Sequence, residues 1–222
     1  MLVAQGKLQE ALEAYQQTLA IMKRLVEQDK TNSDWQRDLS VSDNKVGEVL
    51  VAQGKLQEAL EAYRQDLTIA KALAEQDKTN SDWQRDLSAG YQKLGDVLVA
   101  QGKLQEALEA YQRTLAILKR LAEQDKTNSG WQRDLGVSYE KVGDVLNAQG
   151  KLQDALDLFQ QELAIDQRLV EQDKSNSAWQ RTLIVSLYKV GTITAEIGGD
   201  DNDWQAQDLL RNALNIAMVA PR

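Results

Sequence analysis

The chain is 222 residues long, with 26 basic and 34 acidic side chains and neither histidine nor cysteine. A net charge of −8, with Lys and Arg interspersed among Asp and Glu, excludes a nucleic-acid binder, which needs a basic face to release counterions. Apolar residues make up 42% of the chain, too many for a disordered protein, yet no apolar run approaches the roughly 18 residues of a membrane span.

A 48-residue unit is written almost verbatim along the chain. Trp35, Trp83, Trp131 and Trp179 stand one period apart, as do Gly6, Gly54, Gly102 and Gly150, each followed by Lys-Leu-Gln. Residues 51–98 and 99–146 agree at about three quarters of their positions. A fixed period of this size marks a solenoid, in which each unit stacks only on its neighbours. The expected organisation is one solenoid over 1–222: a half-repeat at 1–32, full repeats at 33–80, 81–128 and 129–176, and a degenerate last repeat at 177–222 that ends in a capping helix.

In chain order, Met1–Gln5 matches the last turn of a first-type helix, and a second-type helix follows to about residue 28. Helix pairs are then predicted at 33–53/55–76, 81–101/103–124, 129–149/151–172 and 177–197/203–219. The second pair shows why. Trp83, Leu87, Tyr91, Leu94, Val97 and Leu98 recur every three or four residues and form one apolar stripe. Gly102 stops that helix, because glycine takes the left-handed cap conformation without a Cβ penalty. Leu104, Ala107, Leu108, Tyr111, Leu115, Leu118 and Leu121 make the second stripe.

A polar loop, Asp125-Lys126-Thr127-Asn128-Ser129, follows. Ser129 with Gln132 is expected to form a capping box on the next helix, as are Ser33/Gln36, Ser81/Gln84 and Ser177/Gln180. At the far end the connection lengthens to Gly198-Gly199-Asp200-Asp201-Asn202, and the last helix keeps Ala206, Leu210, Ala213 and Leu214. Asp200, Asp201 and Asp203 match no calcium loop in spacing or count and are expected to cap a helix. Surface stretches repeat as faithfully as core positions, which recent duplication or deliberate construction explains.

These residues resemble the tetratricopeptide repeat, whose pattern is Trp-x2-Leu-Gly-x2-Tyr, then Ala-x3-Phe, then Pro, over 34 residues. Tyr91-x2-Leu94-Gly95-x2-Leu98 stands for its first helix, Gly102 for the turn, and Ala107-x3-Tyr111 for the second helix. Tyr139, Val142, Gly143 and Leu146 with Ala155 and Phe159 repeat it, and the 43–63 unit matches with Asp43 in the first place. Leu187, Val190, Gly191 and Thr194 match more weakly. Fourteen extra residues per unit, carrying Leu121, Trp131 and Leu135 in phase with the stripes, read as about two added turns on each helix. The resemblance implies an all-α solenoid of antiparallel helix pairs, forming a right-handed superhelix with a concave and a convex face. Glycine inside a helix costs roughly 1 kcal/mol relative to alanine. Its recurrence at Gly47, Gly95, Gly143 and Gly191 therefore predicts that the paired helix's backbone comes too close for a Cβ. Ala11, Ala59, Ala107 and Ala155 suit the same contact from the other side.

By the same resemblance, a peptide groove would be lined by the first helix of each pair. Its candidates are Asn44, Glu48 and Val51; Gln92, Asp96 and Val99; Glu140, Asp144 and Asn147; and Tyr188, Thr192 and Ala195, with Lys45, Lys93, Lys141 and Lys189 beside them. The Lys and Asn with which the family clamps a C-terminal carboxylate on chaperones are missing from the corresponding positions. The carboxylates here would repel such a tail and suit a neutral or basic peptide. Lys93/Asp96 and Lys141/Asp144 are expected to pair along their own helices. The tryptophans are expected to pack in the core.

Near-copies of one surface, with no His or Cys and no phosphate-cradling loop, point away from an enzyme, a cofactor or a metal site. The expected role is a non-catalytic interaction scaffold for a protein or peptide. The alternative is self-assembly, by head-to-tail stacking or helix exchange through the unpaired first helix as a homo-oligomer. The start lacks a basic segment followed by a long apolar one, and the chain lacks cysteine, so a cytoplasmic location is expected.

Overall fold

The computed structural model describes residues 6–198 and 204–219. The readings of Met1–Gln5, Asp200, Asp201 and Asp203 lie outside them. Among the described residues the chain is all α: α1 (Leu8–Gln28), α2 (Ser33–Ala52), α3 (Leu56–Gln76), α4 (Ser81–Ala100), α5 (Leu104–Gln124), α6 (Ser129–Ala148), α7 (Leu152–Gln172), α8 (Ser177–Gly198) and α9 (Trp204–Val219). These bounds follow the predicted pairs closely. No helix among them is long and apolar enough to cross a membrane.

Two compact units form, residues 1–117 and 118–222, with the division inside α5. In the first, α1 packs on α2, α2 on α3 and α3 on α4; in the second, α6 packs on α7, α7 on α8 and α8 on α9. Each unit is built of antiparallel helix pairs joined by short turns, the building block of an α-solenoid.

The turns inside the pairs are made by glycine, as expected. Gly54 has φ +74°, and its N–H donates to the Val51 carbonyl at 2.9 Å while the Lys55 N–H reaches the Leu50 carbonyl at 2.8 Å. This doubly bonded cap satisfies carbonyls that a helix end leaves open, and the positive φ is the reason for glycine. Gly102 and Gly150 repeat it, with φ +74° and +75°.

The helix starts correct one expectation. The cap is Asn, not Ser: Asn32, Asn80, Asn128 and Asn176 accept from the backbone N–H of Trp35, Trp83, Trp131 and Trp179 at 3.0, 3.1, 3.0 and 3.2 Å. Each Ser is the first helical residue. The Gln side chains turn away from any capping box and donate to backbone carbonyls before the helix: Gln84 to Ala74 at 2.9 Å, Gln132 to Ala122 at 3.1 Å and Gln180 to Lys174 at 2.7 Å. Asparagine wins because its oxygen reaches the orphan N–H groups from one residue earlier.

The loop that repeats so faithfully has a structural task. Asp29 Oδ1 accepts from both the N–H and the hydroxyl of Thr31, at 2.9 and 2.7 Å. Asp77 with Thr79, Asp125 with Thr127 and Asp173 with Ser175 do the same. The Asp-Lys-Thr-Asn run is thus a hydrogen-bonded turn delivering the cap asparagine, and its repetition needs no binding role.

Apolar positions of the stripes fill the interior: Val49, Leu60 and Val97 in the first unit, and Leu121, Phe159 and Leu169 in the second, are fully buried. The four repeat tryptophans, Trp35, Trp83, Trp131 and Trp179, are half-buried, neither enclosed in the core nor free in solvent, whereas Trp204 on α9 is exposed. Leu214 is exposed although it was placed in the α9 stripe, because it follows Ala213 and so turns about 100° away around the helix.

Gly95 faces not the backbone of its partner helix but an aromatic ring. A Cβ there would stand 2.5 Å from Tyr111 Cε1, and Tyr63 and Phe159 occupy the same place at Gly47 and Gly143. At Gly191 backbone does come near: the Ala206 carbonyl would lie 3.3 Å away. Ala11, Ala59, Ala107 and Ala155 are buried as expected.

Candidate functional site

Periodicity brings the candidate residues to one stripe of each first-type helix, since positions three and four apart are neighbours on a helix surface. In the first unit, Asn44, Lys45 and Glu48 on α2 and Gln92, Lys93 and Asp96 on α4 are all half-buried. Val51 and Val99 are exposed at the ends of the stripe. In the second unit, Glu140 and Lys141 are half-buried on α6, with Asp144 and Asn147 exposed; on α8, Lys189, Thr192 and Ala195 are half-buried and Tyr188 is exposed.

Lys93 does not follow the expected pairing with Asp96. Lys93 reaches back across one repeat and donates to Glu48 and Asn44 of α2. Lys189 does the same in the second unit, with Nζ 2.8 Å from Glu140 Oε1 and 2.6 Å from Asp144 Oδ1. Lys45 pairs locally with Glu48 at 2.8 Å. The result is a cross-repeat contact in each unit, a lysine ladder: the lysine bonds to Asn44 and Glu48 of the preceding first-type helix in the first unit, and to Glu140 and Asp144 in the second. Stacking brings the neighbouring helix's carboxylates within reach of a long flexible stem.

Burial works against the charge of Glu48, but hydrogen bonds from Lys45 and Lys93 outweigh it and hold its pKa below the usual carboxylate range. Burial likewise disfavours the Lys189 ammonium, and the bonds to Asp144 and Glu140 overcome it and raise its pKa. Lys189 Nζ also lies 5.2 Å from the centroid of the Phe159 ring, within cation–π range.

Below the ladder lie residues the sequence reading missed. Asp66 is buried on α3 and accepts from Ser40 Oγ and, at 3.1 Å, from Asn44 Nδ2. Tyr111 donates its hydroxyl to Asp96 at 2.6 Å. Glu162 and Asp166 are buried on α7, each with one carboxylate oxygen that has no hydrogen-bond partner. Burial pushes Asp166 up to about 6, although the Ser186 and Thr182 hydroxyls pull it back. Burial, then the repulsion of Glu140 and Asp166, pushes Glu162 up to about 9. A signal for them did exist. Residues 18, 66, 114 and 162 occupy one repeat position and read Thr, Asp, Thr, Glu, and Asp166 stands where Met22, Ala70 and Leu118 stand.

A recess of about 260 Å³ opens on this face of the first unit, lined by Glu48, Val51, Leu56, Tyr63, Lys93, Asp96, Val97 and Ala100. Its floor is apolar, and its charged groups are Glu48 and Lys93 of the ladder and Asp96, which accepts from Tyr111. A larger cleft, about 630 Å³, opens over Tyr91 and Leu94 between α3 and α5, where Arg64, Lys71 and Arg113 alternate with Glu106 and Glu109. It contains none of the groove candidates.

No curated protein matches the sequence at a significant level. Among solved structures, a candidate kinesin light chain from Podosopora anserina, itself made of nearly identical TPR-like repeats, is similar over 100% of this chain and 92% of its own, with TM-score 0.70 and 21% identity. The apo form of RapI is similar over 100% of this chain and 52% of its own, with TM-score 0.73 and 14% identity. BtubC from P. vanneervenii is similar over 97% of this chain and 93% of its own, with TM-score 0.54 and 15% identity. At these identities the likeness is one of fold. Profiles of the tetratricopeptide repeat match residues 38–120 and 1–29. With helix pairs turned by glycine, an aromatic ring seated on the in-helix glycine and a 48-residue period, the chain belongs to the tetratricopeptide repeat family, in a lengthened form.

Proposed function

We propose that the chain is a non-catalytic interaction scaffold that binds a peptide, helix or protein surface along the stripes of its first-type helices. The family to which it belongs typically works through protein–protein contact. The recess beside Glu48 and Asp96 carries the reading. At about 260 Å³ it is smaller than the roughly 300 Å³ at which small-molecule sites begin, so it suits one apolar side chain of a longer ligand. Glu48 and Asp96 at the recess, with the net charge of −8, favour a neutral or basic peptide over an acidic one.

Peptide-array binding tests the proposal. Val51→Lys combined with charge reversal at Glu48, Asp96 and Asp144 is expected to abolish capture. Capture that survives these changes but is lost with Tyr91→Glu would move the site to the larger cleft.

A second reading, self-association through α1, rests on one observation. Leu19, Met22 and Val26 are half-buried, whereas their counterparts Leu67, Ala70 and Ala74 are buried. The apolar stripe of α1 has room for another helix. Light scattering over a range of concentrations decides: a rising mass supports association, and a constant monomer mass dismisses it.

A further inference from the structure

The larger cleft of the first unit is lined by places where the repeat departs from itself. Gln16, Arg64, Gln112 and Gln160 share one repeat position, and Gln17, Gln65, Arg113 and Gln161 share the next. The two departures, Arg64 and Arg113, both line this cleft, one from α3 and one from α5. Its floor carries a third, Leu94, where Val46, Val142 and Val190 stand in the other repeats. Glu106 and Glu109 are by contrast the repeat's ordinary acids, with Glu10 and Glu13 in the same places on α1.

The floor is also less covered than elsewhere. Tyr91, Leu94 and Leu98 fall three and four residues apart, on one stripe of α4. Tyr91 and Leu94 pack against the buried cluster of Leu67, Ala70, Ala74 and Leu87 and yet stay half-buried. Their counterparts Tyr139 and Val142 on α6, and Leu187 and Val190 on α8, are buried. The open volume above them, about 630 Å³, is that of a ligand site. Among the described residues, the guanidinium groups of Arg64 and Arg113 take part in no ion pair or hydrogen bond. Lys71 has an ion pair with Glu75 of its own helix, at 3.9 Å with both side chains exposed. Arginine and tyrosine, side by side on an uncovered apolar floor, are the residue types that most often anchor an interface.

We propose that this cleft is a second docking site, for a partner peptide that sets acidic residues on either side of an apolar one. The apolar side chain lies on Tyr91 and Leu94, and the flanking carboxylates reach Arg64 and Arg113, whose planar forks match a carboxylate. Lys71, two helical turns beyond Arg64, extends the cationic wall. Glu106 and Glu109 precede Arg113 by one to two turns on α5, and they repel a further carboxylate there. The acids of the ligand are thereby confined to the arginine end. This charge preference is the opposite of that proposed for the recess beside Glu48, and the site is independent of it.

The test is an array of short peptides in which two Glu flank one Leu, Phe or Trp at every spacing up to a helical turn. The same peptides with Gln or Lys in place of Glu stand beside them. The full chain is expected to capture Glu members, and the best-held one to shift the Leu94 methyl signals in an NMR titration. Arg64→Gln with Arg113→Gln restores the repeat's own residue at both exposed positions, so the fold is retained. It should weaken the Glu members by about fivefold or more and leave the Gln and Lys members unchanged. No capture of any Glu member, equal capture by the double variant, or unmoved Leu94 methyls would overturn the proposal. A light-scattering mass that doubles for the wild-type chain and not for the double variant would overturn it too, by giving the cleft to a second copy of the chain. Glu members held by the double variant but lost with the Val51→Lys combination would reject this cleft and leave the scaffold reading standing. Glu members held while no Gln or Lys member is held would sustain this cleft and reject the recess.

Discussion

The phenol ring of Tyr111 fills the space in which a Cβ on Gly95 would stand, and its hydroxyl donates to Asp96, one residue further along the same helix, at 2.6 Å. A single aromatic side chain thus closes the helix pair at one end and buttresses the candidate binding face at the other. The glycine that marks the family motif is the seat of that ring.

Gly95→Ala sets two effects against each other. Helix propensity improves by about 1 kcal/mol. The added methyl overpacks against a buried ring, and such insertions cost about 1–3 kcal/mol. Because the contact would be 2.5 Å, the clash is expected to win, with a lower denaturation midpoint. Combining it with Tyr111→Leu should cost less than the sum of the two changes; strict additivity would show that the ring is not what the methyl meets.

The cap assignment separates two adjacent residues. Asn80→Ala should destabilise by about 1 kcal/mol, since the N–H of Trp83 loses its acceptor. Ser81→Ala should stay within about 0.5 kcal/mol. Equal losses in urea titrations of the two variants would restore the capping box.

Trp131 is half-buried, so Trp131→Ala is expected to cost about 2–3 kcal/mol, less than the 3–5 kcal/mol of an enclosed ring. A loss beyond that upper figure would show the ring to be a full core member.

The lysine ladder predicts an asymmetry. Lys93 is bonded across repeats to Glu48 and Asn44, and Lys45 only along its own helix to Glu48. These side chains are part-exposed, which limits the gain. Lys93→Met should cost about 0.5–1 kcal/mol and Lys45→Met about 0.2–0.5 kcal/mol. A double-mutant cycle measures each coupling to Glu48, and equal couplings would deny the cross-repeat bond a special part.

Stability should fall as pH rises from about 5 to 9. Burial raises Asp43 and Asp166 to about 6 and Glu162 to about 9. A carboxyl with a raised folded pKa stabilises fully below its ordinary range and loses that contribution as pH climbs through the folded value. The slope is about 1.4 kcal/mol per pH unit for each proton involved. The turn acids Asp29, Asp77, Asp125 and Asp173 act in the opposite sense. Side-chain hydroxyls, then backbone N–H groups, lower their pKa, and their contribution is lost only on acidification. Urea midpoints across this range provide the check, and Glu162→Thr should flatten the part between pH 6 and 9. A wild-type midpoint that climbs over that interval would contradict the assignment.

The helices were legible because their signals are local. An apolar stripe, a turn glycine and a polar loop each act within about one helical turn, so their order in the chain is enough to place α2 to α8. The cap shows the limit of that reading: Asn80 and Ser81 are both good starters, and only the direction of the Asn80 oxygen separates them. The candidate face was legible as a set of positions, for Asn44, Glu48, Lys93 and Asp96 do share one side of their helices. Their partners were not, nor was the acid at Glu162, whose burial among Glu140, Asp144 and Asp166 no local pattern announces.

The sequence by itself determined the period, the helix pairs and the faces they present, since these follow from spacing and backbone preference. Only the tertiary structure decided that Lys189 serves Glu140 and Asp144, that Tyr111 seats on Gly95 and that Glu162 Oε2 goes unserved. Those relations join residues from different helices of the stack, up to 49 positions apart. Side chains so far apart along the chain meet only after the helices have stacked, and the distances at which they meet set their charge and their bonding.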